Sequence, residues 1–415
     1  MSEPEHTGAE TPRVGPYELL RRIGVGGMAT VYLGRKTGVE GFSRIHALKV
    51  MHPHLATQPE LVTMLMDEAR IAARIQHPNV VGIVDLGFAN GVYYIAMEYV
   101  DGVALDRLLA PKPRFRPASL IVPIAMDALL GLAASHELCD ADGRSLDLVH
   151  RDVTPGNLII GTDGIARITD FGTAKARARA TKTMPGIVKG KVGYVAPEVA
   201  LGRAFDRRAD VFSMGVLLWN ALTGERLYDT DDIAKNVAQL VSLDVPPPST
   251  VGLKPPALFD QPILRALSRS PDRRFQDARS MFEALEDALA MFGGEPPRHQ
   301  IGEWVETSFA RLLEKRRELA DPDYEVRTVP SAEGDSTTPF RTVPAETEET
   351  DALAPVVERP SGAPIPETPT PVVSMPPALP EVDEGPDRTF RIAALFVAML
   401  VLGLATGVLA LYLLR

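Results

Sequence analysis

The sequence predicts a globular region of mixed helices and strands, an α+β arrangement, followed by an extended linker and one membrane-crossing helix. Three observations predict it. Over residues 17–292, apolar periodicity alternates steadily with turn signals. Over residues 321–387, the composition shifts to Pro, acidic residues, Thr and Ser with few aromatics, a mixture that buries too little apolar surface to offset its conformational entropy. Residues 392–414 read IAALFVAMLVLGLATGVLALYLL without a charge, against the ~20 apolar residues that cross a bilayer core. With 415 residues, 45% apolar and 24% charged, the chain can bury one large two-lobed core or two ordinary domains, with length left over.

A formal charge of -10 and the absence of a Lys/Arg-dense block argue against nonspecific nucleic-acid binding. The single cysteine, Cys139, excludes an intramolecular disulfide framework and is expected to be a small buried apolar residue. The start, MSEPEHTGAE, is neither a secretory signal nor a transit peptide, and residues 1–16 are expected to be disordered. Arg388 and Arg391 precede the apolar span and favour a cytoplasmic location for the large N-terminal part. Only Arg415 follows the span, so no external sensor domain is expected beyond it. Within it, Gly403 and Gly407 have a spacing that permits helix pairing and hence a homodimer.

Along the globular region, Ile23, Gly24, Val25, Gly26, Gly27, Met28, Ala29, Thr30 and Val31 form a glycine-rich turn between alternating apolar runs, the pattern of strand, turn, strand. Such a turn is either a plain hairpin or a place where backbone amides approach a phosphate. In HALKVM, Lys49 stands alone in an apolar strand and needs a partner for its charge. The helical pattern ELVTMLMDEARIAAR supplies Glu68 as that partner, and His77-Pro78 ends it. Residues 303–319 place Trp304, Phe309, Leu312 and Leu313 on one helical face, with Lys315, Arg316 and Arg317 in the last turns. This extension, residues 293–320, is expected to dock on the globular region. The linker that follows spans on the order of 45 Å as a flexible coil, and its two RTVP repeats offer Thr328 and Thr342 for phosphorylation.

Four further segments follow in order: HRDVTPGN (residues 150–157), ITDFGTAKA (168–176), KGKVGYVAPE (189–198) and RRADVFSMGVLLW (207–219). With the glycine-rich turn and Lys49, this ordered series resembles the eukaryotic-type protein kinases, especially the membrane-attached Ser/Thr kinases of bacteria, over residues 17–292. The resemblance implies a two-lobed protein kinase fold: a small, mainly β N-lobe at about 17–97 and a larger, mainly α C-lobe at about 101–292. It implies that the turn at residues 23–31 covers the phosphates of ATP, that Lys49, held by Glu68, contacts the α and β phosphates, and that Asp152 accepts the proton of the substrate hydroxyl. Asn157 and Asp170 would hold Mg2+. Met97 would limit the back of the adenine pocket, with Glu98 to Val100 as the hinge. Glu198 and Arg274 would form a buried ion pair, and Asp210 would orient the catalytic loop. Arg151 would meet a phosphate on the activation segment, for which Thr181 and Thr183 are the candidates.

The sequence departs from the family pattern in two linked places. Thr154 stands where the catalytic loop normally carries Lys, and Lys191 stands where the activation segment normally carries Thr. Those two positions are neighbours in the family's fold, so an exchange is expected: Lys191 supplies the cation and Thr154 the hydroxyl. Ala29 replaces the third loop glycine, and DADGRS (140–145) adds a polar surface hairpin before the catalytic loop. The expected function is that of an ATP-dependent protein Ser/Thr kinase with protein substrates. Autophosphorylation in its activation segment and anchorage in a bacterial inner membrane, with the kinase domain in the cytoplasm, are expected too. The alternative is a pseudokinase scaffold that binds partners without phosphotransfer. A small-molecule phosphotransferase shares the H-x-D-x-x-x-x-N loop but has no place for VAPE.

Overall fold

The computed structural model describes residues 12–110, 117–171, 192–228 and 233–321. Thr181, Thr183, Lys191, the linker beyond 321 and the apolar span at 392–414 lie outside them.

Six strands form an antiparallel sheet: β1 (Arg13–Val14), β2 (Tyr17–Val25), β3 (Ala29–Thr37), β4 (Ser43–Met51), β5 (Ile83–Ala89) and β6 (Val92–Glu98), in the order β1-β2-β3-β4-β6-β5. Alternation along β4 buries Leu48 and Val50 on one face and turns Lys49 to the other. Asn90 and Gly91, both at positive φ (53° and 77°), close the β5–β6 hairpin, as a two-residue turn matched to strand twist requires. Two helices sit between β4 and β5: α1 (Pro53–Ala56) and α2 (Pro59–Ala72). The sequence carries α2 to His77-Pro78, but it stops at Ala72. Residues 74 and 75 tighten into turns on Ile71 and Ala72, which delivers Ile75 to the core.

The ordered region begins earlier than the sequence indicates. Residues 12–16, expected in a disordered tail, carry β1. Leu19 N donates to Pro12 O at 2.7 Å, and Val14 is fully buried. A two-residue strand has no periodicity to read, so only its pairing with β2 reveals it.

In the second lobe, β7 (Gly102–Ala104) joins β8 (Leu158–Gly161) and β9 (Ala166–Ile168) in a small sheet. The helices are α3 (Leu105–Leu109), α4 (Ala118–His136), α5 (Pro197–Ala200), α6 (Arg208–Thr223), α7 (Ile233–Ser242), α8 (Asp260–Ala266), α9 (Ala278–Phe292) and α10 (Arg298–Ala320). Helix α4 is apolar on nearly every side because it runs through the centre, packed by α6, α9 and β9. Among the described residues it alone is long and apolar enough to cross a membrane, and its burial within the lobe makes it a core helix.

Cys139 is exposed, contrary to expectation. It opens the polar insert as a bridge to Ser145, and its carbonyl accepts a bond from Arg74 at 2.5 Å. The extra residues lift the chain off the core, and the thiol goes with them.

Glu198 and Arg274 meet as a bidentate pair, at 2.6 and 2.8 Å. Arg274 is 1% exposed, and its remaining donors reach the carbonyls of Ser268, Arg208 and Arg269. The pair ties α5 to the turn before α9. Removing one member leaves a buried charge unpaired, so Arg274→Ala is expected to lower stability by about 3–5 kcal/mol, read as a lower urea unfolding midpoint.

Candidate active site

The glycine-rich turn connects β2 to β3, with Val25, Gly26 and Gly27 exposed. Gly26 N donates to Ala29 O (2.9 Å), and His52 props the turn from below through Met28 O (3.0 Å) and Thr30 Oγ1 (3.1 Å). Gly24 pairs with Val31, and Val31 in turn lies opposite Lys49 on β4. This register sets the lysine behind the turn. Its Nζ lies 2.6 Å from Asp170 Oδ1. Glu68, the partner expected from sequence, is carried by α2, but its side chain lies outside the described residues. Met97 and Lys49 line one cavity with Thr169, Asp170 and Phe171. Glu98 N bonds Gly82 O (2.8 Å), and Val100 packs against the apolar cluster that holds Met97, so the hinge leaves the sheet at this cavity.

The catalytic loop is held from beneath by Asp210, in the first turn of α6 and fully buried. Its carboxylate accepts from His150 N, Arg151 N and the His136 ring, each at 2.8 Å. Burial alone raises the carboxyl pKa, but the His136 bond and the loop amides outweigh it, and the net shift is downward. His150 is buried and its pKa is pushed down by desolvation. The neutral ring fits its neighbours: Nδ1 accepts from Asp152 N (3.2 Å), which leaves Nε2–H to donate to Thr169 O (3.0 Å).

From there the chemistry-bearing residues are joined in sequence. Asn157 Nδ2 donates to Asp152 O (2.7 Å) and Asp152 Oδ2 (2.9 Å), and Thr169 N donates to Asn157 O (2.9 Å). Asp170 follows Thr169 and meets Lys49. Arg151 and Asp170 both take positive φ, 68° and 65°, a strain of about 1–3 kcal/mol each for non-glycine residues. The Asp210 bond and the Lys49 pair hold them there. Phe171 packs its ring on His150 (4.6 Å between centroids), and Arg151 lies over Phe205 at 4.9 Å. Thr154 is 5% exposed, and its Oγ1 has no partner among the described residues.

A family model for the protein kinase domain matches residues 17–282. The chain belongs to the protein kinase family. It is 39% identical to the tyrosine-protein kinase MasK of Myxococcus xanthus over 66% of this chain and 43% of that protein. It is 30% identical to the serine/threonine-protein kinase PrkC of Bacillus subtilis over 74% of this chain and 45% of that one. The chain thus spans less than half the length of these curated relatives. Among solved structures, the PknI kinase domain of Mycobacterium tuberculosis is similar at 27% identity and a TM-score of 0.51, covering 68% of this chain and 99% of that domain. The two-lobed kinase fold expected from sequence is the fold observed.

In this kinase domain, Asn157 spends both amide hydrogens on Asp152, which directs its oxygen elsewhere. With the Asp170 carboxylate it forms a hard-oxygen set of the kind Mg2+ prefers. Two residues of the kinase core escaped the sequence reading. Asp127 is a lone charge in the apolar run of α4, 2% exposed, bonded to Ala166 N and to Arg298. His136 ends the same helix on Asp210. The rule that singled out Lys49, one charge in an apolar element needing a partner, also applies to Asp127.

Asp210→Ala is expected to free the loop amides. Hydrogen exchange at His150 and Arg151 should accelerate by about 10–100-fold, the equivalent of one lost bond to a charged group, while exchange in β2–β4 stays as it was.

Proposed function

We propose that the chain is an ATP-dependent protein kinase that phosphorylates Ser or Thr hydroxyls of proteins and of its own activation segment. The observation that carries this reading is the bonded series Lys49, Asp170, Thr169, Asn157, Asp152, assembled where the two lobes meet. The substrate oxygen attacks the γ-phosphorus of ATP, the bond to the bridging oxygen breaks, ADP leaves, and Asp152 takes the hydroxyl proton. Asn157 holds Asp152 in place through its side-chain amide. Lys49 neutralises phosphate charge, and the exposed turn at residues 25–27 covers the phosphates. Asn157 and Asp170 would hold Mg2+, whose chemistry there would be charge neutralisation on the transferring phosphate. Lys49, Asp152, Asn157 and Asp170 are all retained, which argues against the scaffold alternative.

Ser/Thr specificity rests on Pro155, retained in TPGN, and on relatives such as Pkn1 and PrkC, whose names say serine/threonine. MasK, named a tyrosine kinase, is the counter-example. The Thr154 hydroxyl, without a partner among the described residues, supports the exchange with Lys191, in which the activation segment lends the cation missing from the loop. Anchorage in a bacterial inner membrane, kinase domain in the cytoplasm, rests on residues 388–414.

Labelled γ-phosphate should pass from ATP to Ser or Thr and not Tyr, and Asp152→Asn should abolish it; phosphotyrosine as the main product would reassign the specificity. Lys191→Ala should lower the rate by about 10²–10³, far more than Lys189→Ala, and equal small effects would remove the exchange. Peptide mapping of active protein should place phosphate on Thr181 or Thr183.

A further inference from the structure

The family match ends at residue 282, but the fold continues to residue 321, and α10 runs from one lobe to the other. At its start, Arg298 Nη1 donates to buried Asp127 Oδ2 at 2.5 Å. Gly302 and Gly164 then allow backbone-to-backbone contact: a Cβ on Gly302 would strike Thr162 O, and one on Gly164 would strike Arg298 O. Ile301, Val305 and Leu313 enter the C-lobe core with no exposure. In the last turns, Arg316, 6% exposed, donates to Gly102 O at 2.8 Å. Arg317 bonds Asp101 Oδ2 at 2.7 Å and Glu306 at 2.6 Å. Beyond them, Arg35 of β3 donates to Leu319 O (2.7 Å) and Asp321 O (2.8 Å).

The helix is thus fastened to the C-lobe at its start, to Asp101 and Gly102, where the C-lobe begins just past the hinge, near its end, and to the N-lobe sheet at its tip. The hinge is also fixed from the C-lobe side. Thr162 N donates to Asp101 O at 2.9 Å, and Gly102 packs against Ile160 O with no room for a Cβ. Covering an apolar face needs only Ile301, Val305 and Leu313. A buried guanidinium adds a desolvation cost, and here it is aimed at Gly102, two residues past the hinge at 98–100. Nucleotide binds between the N-lobe turn at residues 25–27 and the C-lobe residues Asn157 and Asp170, so its affinity depends on how far the lobes are already set at the right separation.

We propose that Arg316 is a positioning residue: through α10 it clamps the hinge and holds the lobes at the separation that binds ATP. The proposal rests on the kinase reading for its effect on turnover, but nucleotide affinity tests it directly. In the full chain, a fluorescent ATP analogue is titrated into wild type, Arg316→Ala, Arg316→Lys and Arg317→Ala, with KM and kcat for transfer and the thermal midpoint measured alongside. Arg316→Ala should raise the analogue's Kd and the KM for ATP about tenfold, as for one lost charge-assisted bond. Its kcat should stay within about threefold of wild type, and Arg316→Lys should recover most of the affinity. Arg317→Ala, which removes a more exposed tie, should raise Kd about threefold, and it decides the matter if Arg316→Ala does not fold. Unchanged Kd in a folded Arg316→Ala, or in Arg317→Ala where that variant must decide, overturns the clamp, even if the thermal midpoint falls. A wild type that binds the analogue without transferring phosphate overturns the kinase reading alone, since the affinity differences remain to be read.

Discussion

The fully buried carboxylate of Asp210 accepts two consecutive loop amides and a histidine ring from another helix, and the geometry of the active site depends on it. Without that acceptor, His150 N and Arg151 N would be donors with nothing to bond in a region closed to water, and the positive φ of Arg151 would have no support. The position of Asp210 in the first turn of α6 also favours its charge, since the helix N-terminus presents partial positive charge. From this anchor the loop runs through the His150 ring to Asp152 and Thr169, so one buried anion sets both the residue that accepts the proton and the segment that carries Asp170.

The same device recurs across the C-lobe. Glu198 with Arg274 joins α5 to the turn before α9, and Asp127 with Arg298 joins α4 to α10. In each case an acidic residue is buried where the apolar core leaves no water, and a guanidinium from a distant part of the chain satisfies it. These pairs cost desolvation, and what they give is a single register: an arginine that misses its carboxylate leaves a buried charge unsatisfied. Elements far apart in sequence are pinned this way, and α10 is the last of them.

The two lobes meet through a backbone bridge of Asn79 and Val81 to Ile168, through packing of Ala72, Ile75 and Val80 on the C-lobe core, and through a contact that carries the chemistry. Lys49 comes from the N-lobe sheet and Asp170 from the C-lobe, and their ion pair crosses between them. The hinge, the Lys49 pair and the tip of α10 on Arg35 are links separate from that core. A change in lobe separation is felt at each of them, because the contacts are close, directional and partly shielded from solvent.

Much of this was legible in the sequence. The glycine-rich turn, Lys49, the loop at residues 150–157 and Asp170 are local motifs whose chemistry restricts each position, so residue type and order are enough to identify them, and the Glu198–Arg274 pair was implied by the family resemblance they carry. The helical pattern at residues 303–319 was visible for a similar reason, although the helix breaks at Phe309 (φ -135°, ψ 30°), which periodicity did not show. What the tertiary structure alone decided is which distant groups meet. Sequence gave Arg316 as a basic residue near a helix C-terminus, where solvation is the ordinary outcome, and the fold buries it on the Gly102 carbonyl. It gave Cys139 as a core residue, and the insert carries it outward. It could not join His136 to Asp210 or Arg298 to Asp127, because the pairing of two charges depends on the path of the chain between them. Local propensity says nothing about that path; it is set by which apolar faces pack together, and that is determined only when the whole chain has folded.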